Sequence, residues 1–157
     1  MSADNERVLV ITRVFKGPRH LIFNAWADPA QSRQWMGPRG FTATEVTQDA
    51  RPGGIWRLCL RADDGSRELW QGGVFREITP PERLVFTFAW DDAAGCPGHE
   101  MLVTVTFAER EDGTTLMTFR QELFDTIENR DGHRDGWDST FDRLADHLAA
   151  IQGRHAG

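Results

Sequence analysis

The sequence predicts an α+β fold, with a curved antiparallel sheet of about seven strands wrapped on one long C-terminal helix and two short helices between the first and second strands. Three observations carry this expectation. From residue 41 to residue 124 the chain is a run of strand patterns broken by turn residues. Ahead of that run, one strand pattern is followed by two short helical ones. Behind it, Trp137, Phe141, Leu144, Leu148 and Ile151 recur at spacings of four, three, four and three, an apolar stripe at the helical period. Asp135, Asp138, Asp142 and Asp146 fall on the opposite side of that helix and should face water. A lone terminal helix laid across a long antiparallel sheet tends to enclose a cavity, so a small-molecule pocket is the first functional expectation.

Each element has a local reason. Residues 8–15 are rich in β-branched side chains and stop at Gly17-Pro18, a strand and its breaker. Residues 19–27 place Leu21, Ile22, Ala25 and Trp26 at helical spacing. That helix ends at Asp28, because Pro29 disfavours helical backbone in the residue before it. Pro29 then opens a second short helix, with Asp28 as its cap, running to about Met36. Gly37-Pro38-Arg39-Gly40 closes the pair. Residues 41–48 form the next strand, before the turn Arg51-Pro52-Gly53-Gly54. Residues 55–62 put Trp56, Leu58 and Leu60 on one face, ahead of Asp63-Asp64-Gly65-Ser66. Residues 67–78 contain Gly72-Gly73, which reads as a bulge or a strong bend in a sheet that must curl. After Pro80-Pro81, residues 83–90 alternate Leu84, Phe86, Phe88 and Trp90. The loop 91–98 leads to 100–109, with Met101, Val103, Val105 and Phe107 on one face. Glu111-Asp112-Gly113 turns the chain into 114–124. The last helix starts between Thr126 and Gly132 and runs to about Gln152.

At 157 residues the chain reads as one domain, 6–152, with frayed termini at 1–5 and 153–157. A domain of this size buries ~70% of the surface its unfolded chain exposes, enough for a core without staples. The net charge of −6, with no basic stripe, argues against nucleic acid and against docking on anionic membranes. No apolar run approaches the ~20 residues that span a bilayer. Cys59 and Cys96 form no metal or redox motif and read as free thiols. The polar start Met1-Ser2-Ala3-Asp4-Asn5-Glu6 lacks the apolar segment of a secretory signal, so the expected compartment is the cytoplasm. His20, His99, His133, His147 and His155 lack zinc-site spacing, so no metal is expected. No cofactor is expected either, since no nucleophile elbow, phosphate loop or dinucleotide fingerprint occurs.

The element order and certain residues resemble the helix-grip proteins of the START/SRPBCC superfamily, which includes polyketide cyclases, lipid-transfer START domains and birch-pollen allergens. Within it, the chain resembles the family named for activators of the heat-shock-protein-90 ATPase (the AHSA type). The residues that carry this are Asp28-Pro29 followed by Trp35, Gly53-Gly54, Gly72-Gly73, the stretch from Glu77-Ile78-Thr79-Pro80-Pro81 through Phe86, then Trp90, and Gly136-Trp137 with Leu144 and Leu148. The match spans nearly the whole chain. The resemblance implies a helix-grip fold and a cavity rather than a reaction. A stress-related role follows by family analogy, with a chaperone as a conceivable partner. The eukaryotic activator carries a further N-terminal domain for which this chain has no room, which weighs against chaperone stimulation.

The expected ligand-binding residues are Trp35, Trp56, Leu58, Trp70, Phe88, Trp90, Val103, Phe119, His133, Gly136, Trp137 and Phe141. Six Trp and ten Phe, mostly in strand patterns, suit a wide interior lined by large rings. Gly136 interrupts an apolar helix at a cost of ~1 kcal/mol relative to Ala. It leaves space for a ligand beside Trp137, lets the helix approach a strand closely, or marks a kink in the helix. Glu68, Arg76, Gln121 and His133 are the polar candidates. His133 lies one turn before Trp137 and on the same side of the helix, where it serves to orient a ligand, to act as a general base, or only to cap the helix. Three functions remain open at this level: a carrier of a small hydrophobic molecule, a cyclase- or hydrolase-like enzyme, and a chaperone-ATPase regulator acting through its surface. A homodimer through an edge strand near Trp70 is also open.

Overall fold

The computed structural model describes residues 7–156. Residues 1–5, expected to fray, therefore lie outside the described residues. The order is β1 (Leu9–Lys16), α1 (Arg19–Ala27), α2 (Pro29–Trp35), β2 (Phe41–Gln48), β3 (Ile55–Ala62), β4 (Glu68–Thr79), β5 (Arg83–Trp90), β6 (Met101–Glu109), β7 (Thr114–Glu122) and α3 (Ile127–Ala156). The seven strands form one antiparallel sheet in the order β1-β7-β6-β5-β4-β3-β2. The sheet curls around α3, as Gly72-Gly73 and the helix-grip resemblance imply. Its edges are β1 and β2. Trp70 stands on β4, an interior strand paired on both sides, so it offers no edge for a two-fold partner.

Local chemistry starts and stops the short helices. The Asp28 side chain accepts from the Ala30 N–H at 3.0 Å, and Pro29 occupies the first helical position, where its missing N–H costs nothing. Ser32 and the Trp35 indole then tie α2 to the end of α1 through the Ala25 and Trp26 carbonyls. The long helix continues to Ala156, one turn past Gln152, where the apolar stripe stops.

The sheet bends where β4 meets β5. A Cβ on Gly73 would sit 1.9 Å from the Thr87 carbonyl oxygen, so only glycine permits this approach. The ladder is rerouted there, with the Val74 N–H donating to Thr87 Oγ1 at 2.8 Å and the Trp56 indole donating to the Thr87 carbonyl at 3.0 Å. The register shift itself falls between Phe75 and Glu77, a few residues past the diglycine. At the other end of the molecule Phe15, Met117, Phe141, Leu144 and Leu148 are all buried and close the core between sheet and helix.

Candidate ligand cavity

Pairing register decides which side chains meet α3. Directly opposed residues of antiparallel strands share a face, and Leu9, Gln121, Val103, Phe86 and Phe75 form one such row from β1 to β4. Gln121 is the polar member of that row and is fully buried. Its Oε1 accepts from the Trp137 indole at 2.9 Å and lies 3.2 Å from His133 Nδ1, while its Nε2 lies 3.4 Å from Met101 Sδ. One carbonyl oxygen on the sheet thus holds two consecutive turns of the helix.

This arrangement fixes the state of His133. The Trp90 indole donates to His133 Nε2 at 3.0 Å, so Nε2 carries the lone pair and Nδ1 carries the hydrogen donated to Gln121. The edges and faces of Phe88, Trp90 and Phe124 surround the imidazole, with ring centroids 5.1–5.8 Å away. Burial in this aromatic box disfavours the imidazolium and lowers the pKa to about 4, against a small opposing pull from Asp125. Leu123, with φ at 69°, is a leucine in left-handed backbone just before Phe124, and this turn delivers Phe124 to the box.

Two adjoining hollows lie on the concave side of the sheet. The outer one, about 240 Å³, opens beneath Gly132 and Gly136. Leu60, Leu69, Trp90 and His133 line its sheet and helix sides, and the loop Gly37, Pro38 and Phe41 forms its roof. A Cβ placed on Gly132 or Gly136 would find no neighbour within 4 Å, so Gly136 leaves space and is not a close helix–strand contact. Arg143 pins the roof, its Nη1 donating to the Gly37 and Phe41 carbonyls at 2.8 and 3.0 Å. The inner hollow, about 30 Å³, reaches to Trp26, Trp56, Leu58, Phe75 and Phe86. Met36, Gln71, Phe88 and Trp137 line both hollows and form the boundary they share. The walls are mainly apolar, as small-molecule sites are.

Residues 16–149 match the family described as Activator of Hsp90 ATPase homolog 1-like protein. The chain belongs to this family. Among solved structures, a Chromobacterium violaceum protein is 30% identical, with 90% of this chain and 96% of that one covered at a TM-score of 0.78. The AHSA1 protein of Silicibacter pomeroyi shares the fold at 24% identity and a TM-score of 0.83, over 92% of this chain and 99% of that one. A Mycobacterium smegmatis protein does so at 24% identity and a TM-score of 0.80, over 96% of each. No protein of curated function matches the chain.

Relative to this activator-homologue fold, the residues singled out from sequence divide into three groups. Trp56 and Leu58 line the inner hollow, Trp90, His133 and Gly136 the outer one, and Phe88 and Trp137 both. Trp35, Val103, Phe119 and Phe141 line neither, and all are fully buried in the packed core. Trp70 stands on the convex face, 37% exposed. The register explains this correction: Trp70 opposes Cys59, while Gln71 opposes Leu58 and Leu69 opposes Leu60. The Arg57 guanidinium covers the Trp70 ring at 5.2 Å and makes a two-pronged ion pair with Asp91 at 2.7 and 2.8 Å. Glu68 shares the convex face, its carboxylate 3.4 Å from Cys59 Sγ, and Arg76 is exposed.

Sequence reasoning passed over Trp26, Met36, Gln71 and Gly132. The signal for Gln71 was its alternation with Leu69 and Phe75, which competes with that of Trp70 on the same strand. Among the described residues no helix is long and apolar enough to cross a membrane, and no cluster of His, Cys, Asp and Glu is suited to a metal ion.

Proposed function

We propose that this protein binds a small, largely apolar molecule in the outer hollow, between the curved sheet and the first half of α3, as a cytoplasmic carrier or binding protein. The observation that supports this most directly is the notch at Gly132 and Gly136. At a half-buried position such as Gly136 an amphipathic helix would ordinarily carry an apolar side chain toward the sheet, yet here about 240 Å³ stays open above aromatic walls. A stress-related setting rests on the family description alone. An acid–base enzyme in the same cavity draws less support, because the accepting nitrogen of His133 is engaged by the Trp90 N–H and the ring is held neutral.

The test is a thermal-shift screen with lipids, aromatic polyketide-like compounds and hydrophobic acids. A ligand at a hundredfold excess over its Kd adds ~2.7 kcal/mol, a rise of roughly 5–10 °C for a chain of this size. Gly136→Leu should keep the fold and lose the shift, since its side chain enters the open notch. Unchanged ligand binding in that variant would overturn the proposal.

A further inference from the structure

Two residues that line the inner hollow carry buried donors with no acceptor among the described residues. Trp35, Trp56, Trp90 and Trp137 each direct the indole N–H to a carbonyl, an amide oxygen or an imidazole nitrogen. Trp26, 3% exposed, has no partner for its Nε1 among the described residues, and Gln71, also 3% exposed, has none for its Nε2. Both residues line the inner hollow. A buried polar group left unpaired costs about 1–3 kcal/mol, and most such groups in folded proteins find partners. Two orphan donors lining one small hollow thus mark a place where an acceptor is received.

The size and charge of the hollow narrow the acceptor. At about 30 Å³ it has room for the tip of a molecule, since a single water needs about 10–15 Å³ by the same measure, but not for a ring or chain. Its one cationic lining residue, Arg57, sends its guanidinium to Asp91 on the opposite face of the sheet. A carboxylate tip would therefore be desolvated without a counter-charge. Gln71 lines both hollows, so the leading end of a molecule lying under Gly136 would meet its side chain at their shared boundary.

We propose that the ligand leads with a neutral carbonyl oxygen, received by Gln71 and Trp26 in the inner hollow while its apolar body fills the outer one. This rests on the binding reading above and adds its chemical class: a ketone, ester or quinone rather than a hydrocarbon or a fatty acid anion. The probes are 2-acetylnaphthalene, its near-isostere 2-isopropylnaphthalene, in which a methyl replaces the oxygen, and 2-naphthoate, each titrated calorimetrically into the full chain. The ketone should bind roughly tenfold or more tightly than the isopropyl compound, from two newly satisfied donors, and more tightly than the carboxylate.

Gln71→Met should erase most of that preference while retaining the isopropyl affinity, and the free variant should melt no lower than wild type, because a buried orphan amide has been removed. Trp26→Phe should reduce the preference as well. Equal affinity for ketone and isopropyl probes, or a preference that survives Gln71→Met, would overturn the carbonyl assignment and leave the cavity reading standing. Loss of fold stability in Gln71→Met together with loss of both neutral probes would make Gln71 a structural residue and also overturn it. Failure of all three compounds to bind would remove the assignment and the cavity reading together.

Discussion

Along α3 the second half buries Phe141, Leu144 and Leu148 at 0, 0 and 2% exposure, whereas the first half presents Gly132, His133 and Gly136 to a hollow of about 240 Å³. Both halves face the same curled sheet, and Trp137 marks the changeover. At the closed end stability comes from apolar area and close packing. At the open end the helix is held instead by hydrogen bonds from His133 and Trp137 to Gln121, and Arg143, at the start of the closed half, pins the roof loop above the hollow. Directional bonds anchor a helix over space that side chains do not fill. The difference teaches that one element divides stability from binding along its length.

The largest effect should come from breaking the closed end. Leu144→Ala removes a fully buried side chain from the packed region and should cost about 2–5 kcal/mol. Chemical denaturation would measure it, and a cost under 1 kcal/mol would mean that the closed end is as loosely filled as the open one. Ligand affinity should be little changed in that variant, provided the fold persists under the assay conditions.

A second effect, of about 3 kcal/mol, should appear at the open end as acid sensitivity. His133 titrates near 4 in the folded chain against 6.5 ordinarily. Between those values the unfolded chain binds a proton that the folded chain refuses. Stability therefore rises with pH across this window, is complete above about 6.5, and is lost as pH falls toward 4. Asp91, held below its ordinary 3.8 first by its hydrogen bonds to Arg57, loses its contribution only at lower pH, so the two effects separate. Denaturation midpoints at pH 7 and pH 4.5 would show the slope. His133→Phe, which keeps a ring in the box, should flatten it, and an unchanged slope in that variant would place the acid sensitivity elsewhere.

The closed end was more legible in the sequence than the open one, for a physical reason. A filled core repeats one instruction at every turn, so the stripe from Trp137 to Ile151, the strand alternations and the Asp28-Pro29 boundary each specify their element locally. The cavity depends on phase and register. In β4, Trp70 with Val74 and Leu69 with Phe75 are competing alternations, and only the pairing of Gln71 with Leu58 sends the tryptophan outward. The bond from Trp90 to His133 joins residues 43 positions apart and has no local signature. Gly136 carried the signal most cheaply, because a glycine in an apolar helix is a conspicuous cost, though sequence alone left open whether it admitted a ligand or a strand.

The smallest effect separates those two meanings directly. Gly136→Ala should stabilise the protein by up to about 1 kcal/mol, since alanine is the better helix former and its Cβ meets nothing within 4 Å. Gly73 answers oppositely, because a Cβ there would overlap the Thr87 carbonyl. A single methyl at position 136 also begins to fill the hollow from the helix side, so small ligands should still enter while bulkier ones weaken. If Gly136→Ala instead destabilises the protein, the helix packs closer to the sheet there than the geometry allows, and the contrast between the two halves of α3 disappears. A gain in stability with graded loss of the larger ligands would show that this glycine is retained for what the cavity holds.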